Sequence, residues 1–197
     1  MVLKYNLLEQ IYFFNIGLYK KDDTYYQWKN ENNPRSNFFE IQAARNAPQE
    51  KIFYCEAKED QKTVYYVEKN TVFCIGADPR VQSQLIEALL EHLMVHFFIL
   101  YEEQLHRIRH GEISHFFKDF NLLVHDVFEN YNRLDLFETA LVMCKGCKVS
   151  LNVIIKKSIK FEKPTETIVY IHKGHALLMY IDKQYKVRGT EIILINY

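Results

Sequence analysis

The N-terminal half of the chain alternates short runs of aromatic and β-branched residues with polar turns, a pattern typical of the strands of a sheet. Glu68-Lys69-Asn70 lies between two such runs and predicts a tight hairpin. The predicted strands are Leu8–Tyr19, Thr24–Trp28, Ile52–Ala57, Thr63–Val67 and Thr71–Ile75.

Helical spacing of apolar residues begins after the fifth predicted strand and continues from Val81 to Leu100. Asp78 is a suitable cap for the free N–H groups of a helix, and Pro79 suits its first turn. These features predict one long helix of about 28 residues that ends near Gly111. Two shorter helices are also predicted, one over Ser36–Asn46 and one that follows Ser114 and places Phe116, Phe120, Leu123, Val127 and Tyr131 on one face.

After residue 143 the pattern returns to short apolar strands, while Leu134 to Met143 is predicted to be a short connecting helix or linker. We therefore expect an α+β domain over residues 1–135, with a five-stranded, mostly antiparallel sheet and flanking helices. A small β-rich module is expected over residues 136–197. Its predicted strands are Val149–Ile155, Thr167–Ile171, Ala176–Ile181 and Glu191–Ile195.

The element order of residues 5–135 resembles the longin fold, in which one helix follows the second strand and two helices follow the fifth. The segments Thr71–Pro79 and Phe116–Tyr131 look most like the small sigma and zeta subunits of adaptor and coat complexes. Longin domains also occur in some SNARE proteins and in the signal recognition particle receptor. The resemblance implies a protein-binding module without catalytic residues, with a small GTPase or another subunit as partner, in vesicle trafficking.

The composition predicts a folded chain, and the charged residues are unevenly distributed along it. Of the 197 residues, 48% are hydrophobic and 15% aromatic, which is enough for a packed core. The net charge is zero, but residues 144–197 contain ten Lys/Arg against four Asp/Glu, so the rest of the chain is acidic. A basic C-terminal module favours contact with nucleic acid or an anionic membrane surface. Docking on the acidic half explains the same asymmetry equally well.

We expect no targeting or membrane-spanning segment in this chain. Met1–Lys4 leads into mixed polarity without the apolar core of a signal peptide, and charged residues interrupt the longest apolar helix. Four cysteines without a secretory signal favour the reducing cytoplasm. Cys55 and Cys74 lie in apolar strands and are predicted to be buried. We expect a cytoplasmic protein, with peripheral contact to membranes left open.

Two short motifs in the C-terminal module carry the chemistry. Cys144-Lys145-Gly146-Cys147 and His172-Lys173-Gly174-His175 each place two ligand side chains around a glycine turn. In a β-rich segment with little core, this pair of motifs predicts a structural zinc ion held by all four residues in a zinc-ribbon-like fold. Two alternatives stay open, a redox dithiol at the cysteines and packed thiols without a metal.

Other catalytic patterns are weaker. A catalytic zinc ion keeps an open position beside a general base, for which Asp182 and Glu191 are the candidates. His92 and His96 lie four residues apart on the long helix, without the glutamate of a His-Glu-x-x-His motif, and are predicted to be solvated.

The preferred hypothesis is a non-enzymatic, longin-like interaction subunit or adaptor of a cytoplasmic complex, with a structural zinc site. The alternative is a nucleic-acid-binding or regulatory protein that uses the basic module. Its predicted phosphate contacts are Lys145, Lys148, Lys156, Lys157 and Arg188.

Overall fold

The computed structural model describes residues 7–19, 24–33, 51–105, 117, 119–172 and 174–194. The chain forms two compact units, an N-terminal unit (Met1–Leu134) and a C-terminal unit (Asp135–Tyr197). The class is α+β, with a five-stranded antiparallel sheet in the first unit and two smaller sheets in the second, which confirms the predicted class. The helix predicted over residues 36–46 and the end of the long helix after residue 105 lie outside the described residues.

The N-terminal unit is built on one sheet with strand order β2–β1–β5–β4–β3, in which every neighbouring pair is antiparallel. A short helix, α1, precedes β1, so the first strand begins three residues later than its apolar run. The strands are β1 Ile11–Leu18, β2 Thr24–Lys29, β3 Phe53–Ala57, β4 Lys62–Glu68 and β5 Thr71–Ala77, and the helices are α1 Leu7–Gln10, α2 Ser83–Leu105 and α3 Phe120–Asn130, followed by a 3₁₀ turn at Tyr131–Arg133.

The predicted hairpin between β4 and β5 is confirmed. Lys69 and Asn70 form a two-residue turn with φ of 51° and 60°, the left-handed conformation that a tight hairpin with right-handed strand twist requires. Glu68 then pairs with Thr71.

The long helix is also confirmed, but it begins later than predicted. Instead of capping a helix, the Asp78 carboxylate accepts hydrogen bonds from the backbone N–H and the guanidinium of Arg80. The backbone N–H of Val81 donates to the Asp78 carbonyl, which closes a separate turn. Helix α2 therefore starts at Ser83.

Helices α2 and α3 cover one face of the sheet. The Phe14 ring lies 6.3 Å from that of Phe120 on α3, and the Phe73 ring lies 5.6 Å from that of Phe97 on α2. All seven residues of β5 are buried, so the opposite face is covered as well. The buried residues of α2 are Leu85, Ile86, Ala88, Leu89, Leu90, Leu93, Met94 and Phe97.

Within the described part of the chain, α2 is the one helix long and apolar enough to cross a membrane by length and composition. Core helices of soluble domains pass the same test, and half of its most apolar stretch is buried inside the structure.

The C-terminal unit is a sandwich of a two-stranded sheet, β6–β7, and a three-stranded sheet with order β10–β9–β8. Both sheets are antiparallel. Their inner faces share one core, formed by Val142, Leu151, Val153, Ile155, Ile168, Leu177, Met179 and Ile181. The strands are β6 Phe137–Cys144, β7 Val149–Lys156, β8 Thr165–His172, β9 His175–Asp182 and β10 Val187–Leu194.

The prediction of a connecting helix or linker over Leu134–Met143 is wrong, because most of this stretch is strand β6. Val142 points into the core, while Leu141 and Met143 are 78% and 55% exposed on the outer face. The alternation of buried and exposed positions is thus present, but apolar residues on both faces hide it in the sequence.

Candidate metal centre

The turn between β6 and β7 places the two cysteines of the first motif. Cys144 is the last residue of β6, and its carbonyl accepts a hydrogen bond of 2.8 Å from the backbone N–H of Lys148. Lys148 has a φ of 55°. It therefore adopts the left-handed conformation that glycine favours after the second cysteine of such a turn, and the chain folds back into β7.

The turn between β8 and β9 places the two histidines. His172 and His175 pair directly across the two strands, and Gly174 between them has a φ of 77°. Because residues directly opposite one another share a face of the sheet, both rings project from the inner, core-facing side.

The structure brings three of the four predicted ligands together. The ligand atoms of Cys144, Cys147 and His175 all lie within 4.8 Å of one another. The Sγ of Cys144 and the Nε2 of His175 are 2.9 Å apart, a hydrogen bond between residues from two different sheets. Cys144 and His175 are buried, and Cys147 is half-buried. In the described residues no other group of three or more His, Cys, Asp or Glu side chains meets so closely.

His172 lies beside this cluster and not in it. Its ring centroid is 5.7 Å from that of His175, with the rings nearly perpendicular, and 6.2 Å from that of Tyr170, with the rings stacked. The predicted set of four ligands is therefore three clustered side chains and one neighbour on the same sheet face.

The local electrostatics favour the thiolate of Cys144. The backbone N–H of Cys147 is the largest cause that lowers the pKa of Cys144, to about 6, and the His175 side chain and the N–H of Gly146 act in the same direction. Burial opposes the shift. Because the thiolate is the form that binds metals, the turn prepares Cys144 as a ligand.

Gly146 contributes to the centre in a way that the sequence alone did not indicate. A Cβ at this position would lie 3.6 Å from Cε1 and Nε2 of His175 and 3.3 Å from Cδ1 of Ile192. The turn therefore passes close to the imidazole, and a side chain at this position would require only a small shift of Ile192.

The two carboxylates considered as catalytic bases are not at the cluster. Asp182 ends β9, the strand that His175 begins, which puts it about 23 Å away along the strand. Its carboxylate accepts hydrogen bonds from the N–H groups of Gln184 and Lys186 and from Arg188. Glu191 is exposed and hydrogen-bonds to Tyr180, whose pKa it raises.

Among the side chains that the structure describes, the remaining candidates form no comparable group. The rings of His92 and His96 are 4.2 Å apart on α2, and Nδ1 of His96 lies 2.9 Å from the carbonyl oxygen of His92. Cys74 is fully buried, as predicted. The same prediction is wrong for Cys55, which is exposed on edge strand β3, with its Sγ 3.5 Å from the Ser83 hydroxyl.

Comparison of the sequence with models of known protein families and with curated proteins finds no match. The fold and the cluster of Cys144, Cys147 and His175 are therefore the basis for a functional proposal.

Proposed function

We propose that the C-terminal unit is a zinc-ribbon-like module in which Cys144, Cys147 and His175 hold a structural zinc ion. The observation that carries this proposal is the meeting of their three ligand atoms, from turns of two different sheets, within 4.8 Å. Thiolate and imidazole are the ligands that zinc prefers in structural sites. Linking the two sheets at one end stabilises a unit whose single core is small.

The distances are compatible with tetrahedral zinc. With Zn–S near 2.3 Å and Zn–N near 2.1 Å, ligand atoms around one ion are about 3.6 Å apart. The 2.9 Å between Cys144 Sγ and His175 Nε2 is a hydrogen bond that the metal would replace, as the thiol proton leaves and the two ligand atoms separate slightly.

His172 is the proposed fourth ligand. It pairs with His175 across the two-residue turn and projects from the same sheet face. We propose that its imidazole turns towards the cluster when the metal binds. Four protein ligands close the coordination sphere of zinc, which is the arrangement of a structural site.

A structural role is favoured over a catalytic one by the position of the carboxylates. A zinc-dependent hydrolase keeps a general base beside the metal-bound water. Asp182 is at the far end of β9 with its oxygens engaged by Arg188 and backbone N–H groups, and Glu191 is on the outer face of the sheet, opposite Leu178.

For the N-terminal unit we propose a longin-like binding module, with a small GTPase or another subunit of a cytoplasmic trafficking or adaptor complex as the partner. The five-stranded antiparallel sheet, followed by α2 and α3, supports this proposal.

The nucleic-acid alternative receives less support from the side chains. Lys157 forms ion pairs with Asp135 and Glu138, and Arg188 with Asp182. Lys156 is buried. Only Lys145 and Lys148, of the five predicted phosphate contacts, are exposed without an ion pair in the described residues, which is few for binding through phosphate contacts.

Elemental analysis of the purified full chain tests the metal proposal. We expect about one zinc per chain in the wild type and loss of most of it in Cys144→Ser, Cys147→Ser and His175→Ala. Cys55→Ser is the matched control, because Cys55 is outside the cluster, and it should keep the metal. A wild-type chain that takes up no zinc when supplied with it refutes the proposal.

The His172→Ala variant separates a site with four protein ligands from one with three. Competition with a chelator should show at least about a tenfold loss of zinc affinity if His172 is a ligand. Removal of residues that only hydrogen-bond to metal ligands already lowers metal affinity by about that factor. Unchanged affinity would limit the site to three protein ligands.

The interaction proposal needs a separate test. The immobilised full chain should retain a small GTPase, in one nucleotide state more than the other, or an adaptor subunit from a lysate of its own source. Failure to retain either class of protein removes the support for a longin-like function and leaves the zinc proposal untouched.

A further inference from the structure

The outer faces of the C-terminal sandwich expose aliphatic side chains at the end where the metal cluster lies. Leu141 and Met143 on β6 are 78% and 55% exposed, and Met143 directly precedes Cys144. On the other sheet, Ile171 and Ile193 are 64% and 50% exposed. Both are aligned with Ala176, the residue after His175. Large exposed apolar patches rimmed by polar residues mark sites of interaction with proteins or membranes.

The same end carries exposed positive charge. Lys145 and Lys148 lie in the β6–β7 turn, and both are exposed. The sequence contains no acidic residue between Glu138 and Glu162. Glu138, the one carboxylate of β6 and β7, lies near the start of β6, away from the cluster, and pairs with Lys157.

The opposite end of the sandwich differs in chemistry. There Lys157 pairs with Asp135 and Glu138, and Asp182 pairs with Arg188. The unit is therefore polarised along its strands, with ion pairs at one end and aliphatic side chains plus two lysines at the other, which we call the tip.

We propose that the tip, formed by Leu141, Met143, Lys145, Lys148, Ile171 and Ile193, docks on the surface of an anionic lipid bilayer. The lysines complement acidic headgroups, and the aliphatic side chains enter the boundary between headgroups and acyl chains. This inference goes beyond the proposed function and needs from it only a folded C-terminal unit.

The arrangement favours a bilayer over a protein or a nucleic acid. Leu141 and Ile171 lie on outer faces of two sheets that point away from each other, so one flat protein surface cannot cover both. Lipid surrounds an inserted wedge and contacts both sides. A nucleic acid would match the lysines but would leave the exposed aliphatic residues in water.

Binding of the full chain to unilamellar vesicles tests the proposal. The wild type should sediment with vesicles of phosphatidylcholine containing phosphatidylserine, bind weakly to phosphatidylcholine alone, and lose affinity as salt is raised. Lys145→Gln and Lys148→Gln should each weaken binding about fivefold, the effect of one basic residue near an anionic surface. Leu141→Asn should weaken vesicle binding about tenfold, because an apolar side chain no longer enters the bilayer.

Matched controls separate the tip from general charge and hydrophobicity. Lys183→Gln removes one exposed lysine from the opposite end, and Leu122→Asn replaces a leucine that is 75% exposed on α3 of the other unit. Both should bind vesicles like the wild type. Thermal unfolding of each variant verifies that the C-terminal unit is folded, so a loss of folding is not mistaken for a loss of docking.

A gain-of-signal variant makes the test independent of lost binding. Leu141→Trp should show a blue-shifted emission on addition of the anionic vesicles, because the indole leaves water. The proposal is overturned by absent vesicle binding, by tip variants that bind like the controls, by an unshifted Leu141→Trp emission, or by binding of an oligonucleotide in place of vesicles.

Discussion

The indole of Trp28 donates a hydrogen bond through Nε1 to Nε2 of His125, at 3.1 Å, and the two rings meet edge to face with centroids 5.6 Å apart. Trp28 is on β2 and His125 on α3, so this pair fastens the helix to an edge strand of the sheet. Trp28 is the single tryptophan of the chain, and its emission reports on the N-terminal unit.

Replacing His125 by alanine should lower the free energy of unfolding of the N-terminal unit by about 1–2 kcal/mol, since it removes both the acceptor and the ring contact. Urea unfolding followed by Trp28 emission measures the change. The folded variant should also emit at longer wavelength, as water reaches the indole. Glu129→Ala, an exposed position on the same helix, is the control, and an equal loss in both variants would contradict a specific role for the pair.

Gly76 lies under the ring of Phe13 on the face of the sheet away from α2 and α3. The two residues pair between β1 and β5, and a Cβ on Gly76 would overlap the Phe13 ring. Gly76→Ala should therefore destabilise the N-terminal unit by about 1–3 kcal/mol through overpacking. Combining it with Phe13→Leu should recover part of the loss relative to the sum of the single changes, as measured by a double-mutant cycle in urea. Strict additivity would argue against the steric explanation.

Leu177 and Leu141 provide a matched pair in the C-terminal unit. Leu177 is fully buried in the shared core, whereas Leu141 is 78% exposed. Leu177→Ala should cost about 2–5 kcal/mol through lost burial and a cavity. Leu141→Ala should change stability by no more than about 0.5 kcal/mol. Thermal unfolding by circular dichroism distinguishes the two, and similar losses would show that the outer face of β6 is covered.

Asp182 makes the C-terminal unit sensitive to acid. The N–H of Lys186 is the largest cause that lowers the pKa of Asp182, followed by Arg188 and the N–H of Gln184. A carboxyl whose folded pKa is below its unfolded value of about 3.9 stabilises the fold above that pH. The stabilisation is lost as the pH falls through the lowered folded pKa. When the pH is lowered below about 4, the temperature midpoint of unfolding should therefore fall in the wild type, and it should fall less in Asp182→Asn.

The sequence predicts elements best where burial alternates with polarity or where turn residues are distinctive. Lys69-Asn70 and the spacing of α2 were sufficient for the hairpin and the long helix. Strand β6 was missed, because Leu141 and Met143 are apolar although they face solvent. The start of α2 was misplaced, because Asp78 binds Arg80 in preference to free helix N–H groups, a competition that no local pattern reveals.

For the candidate site, the two motifs are enough to name four candidate ligands, of which the structure brings three together. Their meeting in space depends on how two sheets pack, which the sequence does not show. The separate position of His172, against Tyr170, and the close approach of Gly146 to His175 are likewise consequences of packing.

The order in which the candidate metal centre forms during folding follows from its two turns. Each joins neighbouring strands, so the β6–β7 and β8–β9 hairpins can both form from contacts that are local in sequence. Cys144 and His175 are 31 residues apart, and bringing them together requires closure of the whole intervening loop. The centre is therefore completed late in folding. Interactions absent from the transition state act mainly on the unfolding rate. The proposed zinc ion should therefore slow the unfolding of the C-terminal unit far more than it speeds its folding.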